Sequence, residues 1–275
     1  MNPLTHVKFN DEVFKGQNLT QQEKEMLYLG SIIPDLSEFH ITTYEKTHFK
    51  GLQFLKDIDK KYFYFAAGVL LHGEQPRALD YLAHSQKGYI NSKRNQVLKI
   101  VNQYKNPFGR NPDINLMVHY LIEFAFDYLV VQEGPSVPEI LDLAIQNGSS
   151  PQAIWHFADF FDVNKKKLKT VIKTIQSRAI RKYIYNFRTL KGSASNFQKF
   201  LFIINLKSKQ PGNFASKFGN FAFASLGLFK KRLGRKQFTE MFEKTAEVLR
   251  KDYSDFTKKS ITHLKKLSQQ HKLLK

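Results

Sequence analysis

One apolar stretch of the chain carries three polar side chains whose types and spacing could do chemistry. Residues 117–131 are almost all apolar or aromatic, and the ionisable exceptions are His119, Glu123 and Asp127. Because these three lie four apart, a helix places them in one stripe on one face. Burying an ionised carboxylate is costly unless it is paired or bound to a metal. The stripe indicates either one wall of a metal site or a structural ladder, in which His119 pairs with Glu123 and Asp127 holds a buried Arg or a helix end.

Further ligand-type side chains lie beside apolar residues elsewhere in the first half of the chain. They are His6, Asp35, His48, His72, Asp80 and His84. Each alone has a structural explanation, such as a core histidine or a turn at Pro34–Asp35. Together with His119 and Glu123 they offer nitrogen and oxygen ligands without thiolate, which is typical of Zn²⁺, Fe or Mn²⁺ in a hydrolytic site. More than four candidates indicate two or more ions, an arrangement that can hold a bridging water and neutralise a phosphoryl group.

The elements that must position these residues are predicted to be helices. Thr20 begins a capping box, Thr-Gln-Gln-Glu, at a helix start. The apolar run 62–71 predicts a buried helix that ends on His72. Pro76 suits the first turn of a new helix, predicted over 77–85, which places Asp80 and His84 on one face.

The remainder of the chain is also predicted to be helical, with one less regular segment. Amphipathic basic helices are expected from 164 to about 187, a long irregular connection over 191–222, and a helix pair over 236–251 and 254–272. No segment has strand periodicity. The sequence therefore predicts an all-α, multi-helix bundle with the metal site between buried helices.

Composition narrows the class of protein. The chain has no cysteine, which excludes disulfides, thiolate nucleophiles and Cys-based zinc sites. The first residues lack the apolar core of a signal peptide, and no run reaches the ~18–20 apolar residues of a membrane span. We therefore expect a soluble cytoplasmic protein with no transmembrane segment.

Charge divides the chain into two regions. Residues 1–163 hold 15 Lys and Arg against 19 Asp and Glu, whereas residues 164–275 hold 28 against 5, so the net charges are −4 and +23. We predict a helical metal-site domain over 1–163 and a basic helical C-terminal region over 164–275. That region could lie peripherally on an anionic membrane, bind nucleic acid phosphates, or only form a solvated surface.

The order and spacing of the motifs resemble those of the bacterial zinc-dependent phospholipase C family. The matching stretches are Gly30-Ser-Ile-Ile-Pro-Asp35, then His48 thirteen residues later, Ala67-Gly-Val-Leu-Leu-His72, and His119-x-x-x-Glu123. The resemblance covers residues 1–130 approximately. It implies an all-helical fold, shared with single-strand-specific fungal nucleases, and a site for three zinc ions that cleaves phosphodiester bonds. The metal ligands that it implies are His6, Asp35, His48, His72, His119 and Glu123, with Asp35 as the bridging carboxylate that also orients the attacking water.

The sequence departs from the family pattern at two points. The family has an Asp four residues after the equivalent of His72, where this chain has Pro76; Asp80 and His84 are the candidates for that carboxylate and for the next His. Secreted members also use the free amine of an N-terminal Trp, whereas this chain begins with Met1. The resemblance implies a phosphodiesterase with two or three ions, acting on a phospholipid or a related substrate. The departures favour, as the alternative, a non-catalytic binding protein on the same helical scaffold. A nucleic-acid-binding or nuclease-like protein on that scaffold is the other alternative.

Overall fold

The computed structural model describes residues 3–39, 41–104, 113–148, 150–207 and 235–274. Within these ranges all regular elements are helical and none is a strand, which confirms the all-α prediction. The α-helices are α1 (Pro3–Val13), α2 (Gln21–Gly30), α3 (Tyr44–Phe49), α4 (Gly51–Asp57), α5 (Phe63–His72), α6 (Leu79–His84), α7 (Tyr89–Gln103), α8 (Ile114–Glu133), α9 (Val137–Asn147), α10 (Pro151–Phe160), α11 (Lys165–Ile175), α12 (Arg178–Tyr185), α13 (Leu190–Lys207) and α14 (Arg235–Gln270). Short 3-10 helices cover Ile33–Phe39, Lys60–Tyr62 and Asn186–Arg188.

The central helix α8 is the longest apolar helix of the described residues and packs against several other helices. Asp113 caps its first turn by accepting a hydrogen bond from the Leu116 amide. Helices α1, α7, α13 and α14 pack against its apolar sides. By length and composition alone α8 could cross a membrane, contrary to the expectation from the sequence, but 67% of its most apolar window is buried. This is weak evidence, since the core helix of a soluble protein passes the same test.

Two glycines let α2 and α5 touch at the level of the backbone. A Cβ added at Gly68 would lie 2.2 Å from the carbonyl oxygen of Leu27, and one added at Gly30 would lie 2.0 Å from that of Phe65. Side chains are therefore excluded at this crossing, and the helices approach more closely than packed side chains allow. The carbonyl of Ser31, just beyond α2, consequently accepts a hydrogen bond from His72 Nδ1 at the end of α5, at 2.7 Å.

The helix that carries Asp80 and His84 begins later than the sequence predicts. Pro76 does not open it; α6 starts at Leu79. The intervening segment folds back over α3, because the amides of Glu74 and Gln75 both donate to the carbonyl of His48, at 2.8 and 3.1 Å. Arg77 then adopts a positive φ of 63°, so a helix cannot start before it.

The C-terminal helices differ in two respects from the prediction. The expected pair over 236–251 and 254–272 is wrong, because α14 runs without interruption from Arg235 to Gln270. The sequence contains no Gly or Pro in this range to stop it, and Tyr253, at the expected break, is buried against Phe126. The predicted irregular connection is wrong over Leu190–Lys207, which is α13, and residues 208–222 lie outside the described residues.

Described helices on the two sides of the predicted boundary at residues 163 and 164 contact each other. Helices α13 and α14, from the basic region, pack against α8. Residues on both sides of the boundary contribute to one hydrophobic cluster.

The glycine crossing gives a first prediction. We expect Gly68→Ala to lower the free energy of unfolding by about 1–3 kcal/mol, because the added methyl group meets backbone that cannot move aside. Chemical denaturation followed by circular dichroism measures this change. The matched control is Gly134→Ala, whose Cβ would meet the Val137 side chain first, at 3.1 Å. Equal losses in the two variants would contradict the proposed close approach.

Candidate metal centre

A first group of four side chains meets where α3, α5 and α6 approach the 3-10 helix Ile33–Phe39. Its members are Asp35, His48, His72 and Asp80, and one ligand atom from each lies within 4.8 Å of all the others. His72 Nε2 is 3.2 Å from Asp35 Oδ1 and 3.3 Å from Asp80 Oδ2. His48 Nε2 is 3.3 Å from the same Asp80 oxygen and 3.0 Å from His72 Nε2. This geometry could hold a metal ion.

A second group joins α6 to the central helix. Glu123 Oε1 lies 3.4 Å from His84 Nε2 and 3.6 Å from His119 Nε2, and the three ligand atoms again lie within 4.8 Å of one another. His119 and Glu123 both belong to this second group. Their four-residue spacing places them on one face of α8, as the sequence predicts. The second group could also hold an ion.

Asp80 is the carboxylate that faces both groups. Its Oδ2 points to His48 and His72, and its Oδ1 lies 3.5 Å from His84 Nε2 and 3.3 Å from His6 Nε2. His6 stacks on His72 with the ring centroids 3.8 Å apart. The structure thus brings together eight of the nine ligand-type residues noted in the sequence, and Asp127 is the exception. The described ion pairs of Asp35 are with His48 and His72 only, so its bridging role stays a prediction, and the position between the groups belongs to Asp80.

The outer ring nitrogens show how two of the imidazoles are oriented. His72 Nδ1 donates to the Ser31 carbonyl at 2.7 Å, and His48 Nδ1 donates to the Tyr44 carbonyl at 3.0 Å. These bonds direct the Nε2 atoms inward, which is the arrangement that metal-ligating histidines usually have. In the neutral imidazoles, the inward lone pairs would face each other and the carboxylate of Asp80. A positive charge among them, either a proton or a metal ion, must relieve that repulsion.

The pKa values of the buried groups are shifted by the same attraction between carboxylates and imidazoles. Burial opposes charge on His72, but the carboxylates of Asp35 and Asp80 raise its pKa to about 10. Burial would raise the pKa values of Asp35 and Asp80, yet positive groups that include His72 hold both far below their usual range. Burial, followed by the charge of His72, lowers the pKa of His6 to about 4. The centre therefore favours a cation, and a metal ion would compete there with a proton.

One edge of the centre faces solvent. His48, His72 and Asp80 are almost fully buried, whereas the side chains of Asp35 and His119 are 25% and 24% exposed. Four large hydrophobic side chains are exposed among the described residues, and three of them, Tyr44, Ile114 and Leu116, lie on α3 and on the first turn of α8. Tyr44 also stacks on His48 with ring centroids 3.7 Å apart. The ring of Tyr44 is thus an apolar side chain at the open edge.

Asp127, the third residue of the sequence stripe, lies outside both groups. It accepts hydrogen bonds from the amide of Thr5, at 2.9 Å, and from the Thr5 hydroxyl. The first of these bonds satisfies one free amide in the first turn of α1, and the residue after Thr5 is His6. Of the alternatives for the stripe, Asp127 therefore holds a helix end. The sequence contains no local signal for this contact, since its partners are 122 residues apart.

Comparisons with protein-family models, curated proteins and solved structures find no match to this chain. The centre is therefore judged by its own residues. Its ligands are imidazole and carboxylate only, which suit Zn²⁺, Fe or Mn²⁺ better than a thiolate-seeking metal. The structure shows groups that could hold a metal ion and does not show which metal.

The cap on α1 gives a second prediction. We expect Asp127→Ala to lower the free energy of unfolding by about 1–2 kcal/mol, the usual cost of losing a helix cap. It should also weaken metal binding, because His6 is then less firmly held. Asp127→Asn is the matched control, since its side-chain oxygen can still accept both Thr5 hydrogens. Denaturation curves and metal titrations measure the two effects, and an equal loss in both variants would exclude capping as the cause.

The same carboxyl gives a prediction about pH. Burial raises the pKa of Asp127 from its usual 3.8 to about 7. A raised pKa means that the folded protein binds the proton more tightly, so this contribution to stability is complete below the ordinary pKa and disappears as pH rises through 7. The stability of the wild type relative to Asp127→Asn should therefore fall between about pH 4 and about pH 8. Urea denaturation of both proteins across this range tests it, and a constant or rising difference would contradict the assignment.

Proposed function

We propose that this protein is a metal-dependent phosphodiester hydrolase similar to the zinc-dependent phospholipases C. The observation that supports the proposal most is the convergence of the eight side chains, with Asp80 between two groups that could each hold an ion. Adjacent ions that share a carboxylate are the usual arrangement for hydrolysing phosphate esters. The resemblance of the sequence motifs to that family is the second support.

In this proposal the first ion is held by the first group and the second ion by the second group. Asp80 would help to hold both ions, and His6, 3.3 Å from Asp80 Oδ1, would be available as a further ligand. When bound, such ions activate a water molecule and neutralise charge on the phosphoryl oxygens. The resemblance implies zinc as the metal; Fe and Mn²⁺ have the same ligand preferences.

The proposed role of Asp35 is to align the attacking water. Its side chain is the most exposed of the first group and remains ionised, because the neighbouring imidazoles lower its pKa. An ionised carboxylate at the open edge can accept a hydrogen bond from the water and so orient it. The other carboxylate of the first group, Asp80, is buried and surrounded by histidines, so it is better placed to hold ions.

The resemblance implies a phospholipid substrate, and the open edge is compatible with one. The exposed ring of Tyr44, which stacks on His48, could contact the apolar part of a lipid and could equally stack on a nucleobase. Hydrolysis assays therefore have to identify the class of substrate. A chromogenic phosphodiester, phosphatidylcholine vesicles and single-stranded DNA are the three informative substrates.

Metal content is the first test of the proposal. We expect at least one Zn, Fe or Mn per chain in the purified protein, or after reconstitution, by elemental analysis. His72→Ala should reduce that content. The matched control is His156→Ala, because His156 forms an exposed pair with Asp57, at 3.1 Å, outside both groups. Less than one ion per chain, with no gain on reconstitution, would refute the metal centre.

Activity is the second test, and it separates binding from turnover. We expect Asp80→Asn to lose metal and more than ~100-fold of the hydrolysis rate, since even residues that only orient metal ligands cost 10–100-fold. Asp35→Asn should lose turnover while retaining more metal. A protein that binds metal but cleaves none of the three substrates would instead be a non-catalytic metal protein on the same scaffold.

A further inference from the structure

The surface formed by α11, α12 and the 3-10 helix that follows α12 is strongly basic. Residues 164–239 contain no Asp or Glu. In its first third, this stretch carries nine basic side chains, here called the basic face: Lys165, Lys166, Lys167, Lys169, Lys173, Arg178, Arg181, Lys182 and Arg188. The five lysines from Lys165 to Lys173 belong to α11, and the other four residues lie on α12 and the 3-10 helix. All nine are exposed.

Acidic residues of the preceding helices neutralise only part of the basic face. Lys165 pairs with Asp159, Arg181 pairs with Asp142, and Arg188 pairs with Glu139. The other six have no ion pair within the part of the chain that the structure describes. Their mutual repulsion is tolerated in water, and a polyanion would relieve it.

The apolar sides of these helices already pack inward. Leu168, Val171 and Ile184 are buried, and Ile172 and Ile180 pack against the hydrophobic cluster. None of the large hydrophobic side chains described as exposed belongs to α11 or α12. A helix that binds in a membrane interface inserts an apolar face, and here no such face remains to insert. The basic face can contact a partner only through charge and hydrogen bonds.

We infer that the basic face is a docking surface for the phosphate backbone of nucleic acid. A row of lysines without apolar neighbours suits a partner that presents regularly spaced phosphates and requires no insertion. Helix α11 carries no aromatic side chain, and the Tyr185 ring of α12 is covered by the guanidinium of Arg188, 4.9 Å from the ring centroid. The lysines of α11 therefore contact the backbone of a nucleic acid rather than particular bases. The inference rests on the charge and packing of α11 and α12 and does not depend on the proposed hydrolase.

The start of the basic face is connected to the metal centre through two contacts. Asp162, three residues before Lys165, pairs with Lys46 on α3 at 2.8 Å. Thr42 donates a hydrogen bond to the carbonyl of Phe161 at 3.1 Å. A strand bound at the start of α11 is therefore held beside α3, the helix that also carries His48.

The test compares two triple variants of the full-length protein that remove the same charge. Lys166→Gln/Lys169→Gln/Lys173→Gln neutralises the basic face. Lys251→Gln/Lys258→Gln/Lys266→Gln neutralises exposed lysines of α14, where acidic residues are interspersed. Fluorescence anisotropy measures binding to a labelled single-stranded oligonucleotide in a salt series, with a gel to verify that the oligonucleotide stays intact. Vesicles of phosphatidylcholine with phosphatidylserine are titrated in parallel, and circular dichroism verifies folding.

We expect the wild type to bind the oligonucleotide in a strongly salt-dependent manner. The α11 variant should lose at least tenfold in affinity at low salt, and the slope of log K against log salt should decrease by about 2, since each phosphate contact contributes about 0.7 for a single strand. The α14 variant should retain affinity within about threefold. Equal losses in both variants would show an effect of net charge only and would overturn the inference. Absence of binding at low salt, or vesicle binding that resists salt and disappears in the α11 variant, would also overturn it.

Discussion

The structure depends on the compensation of buried negative charge around Asp80. A carboxylate removed from water is stable only if positive charge or well-placed hydrogen-bond donors replace its hydration. Four histidine rings, those of His6, His48, His72 and His84, face its two oxygens at 3.3–3.5 Å. These rings come from four different helices, so the position of α1, α3, α5 and α6 relative to one another is coupled to one charge. A metal ion or bound protons at this point therefore stabilise the packing as well as the centre.

Backbone contacts, more than side-chain packing, set the positions of the ligands. The glycine crossing of α2 and α5 brings the Ser31 carbonyl to His72. The segment before α6 is attached to the carbonyl of His48 by two amides, and Asp127 fixes the first turn of α1. Each contact has a main-chain amide or carbonyl as one partner. The ligands are thus attached to the main chain, which is a rigid support for side chains that must be placed to within a fraction of an ångström.

The sequence predicts some features of this centre well because they follow from local spacing. The polar stripe on α8 and the capping box at Thr20 are both periodic or local signals, and the structure contains both. The helical class follows in the same way. Local signals cannot show which carboxylate lies between the groups, because Asp35 and Asp80 differ only in what the folded chain places around them. Spacing alone makes Asp127 resemble a third ligand of the stripe. Its hydrogen-bond partner, Thr5, is 122 residues away in the sequence. The sequence predicts a helix start at Pro76 and a break near residue 253. Both predictions are wrong, because long-range contacts override the local preference.

The long helix α14 has a consequence for how this protein can come apart. Its 36 residues extend ~54 Å at the normal helical rise, in contact with α1, α7, α8 and α13. Near its far end, His263 donates to the carbonyl of Arg77, in the segment that leads to Asp80. The helix thus connects the basic region to the segment that precedes α6, the helix that carries Asp80. The two differently charged regions should accordingly melt in one cooperative transition, and cleavage between them would release two unstable fragments rather than two domains.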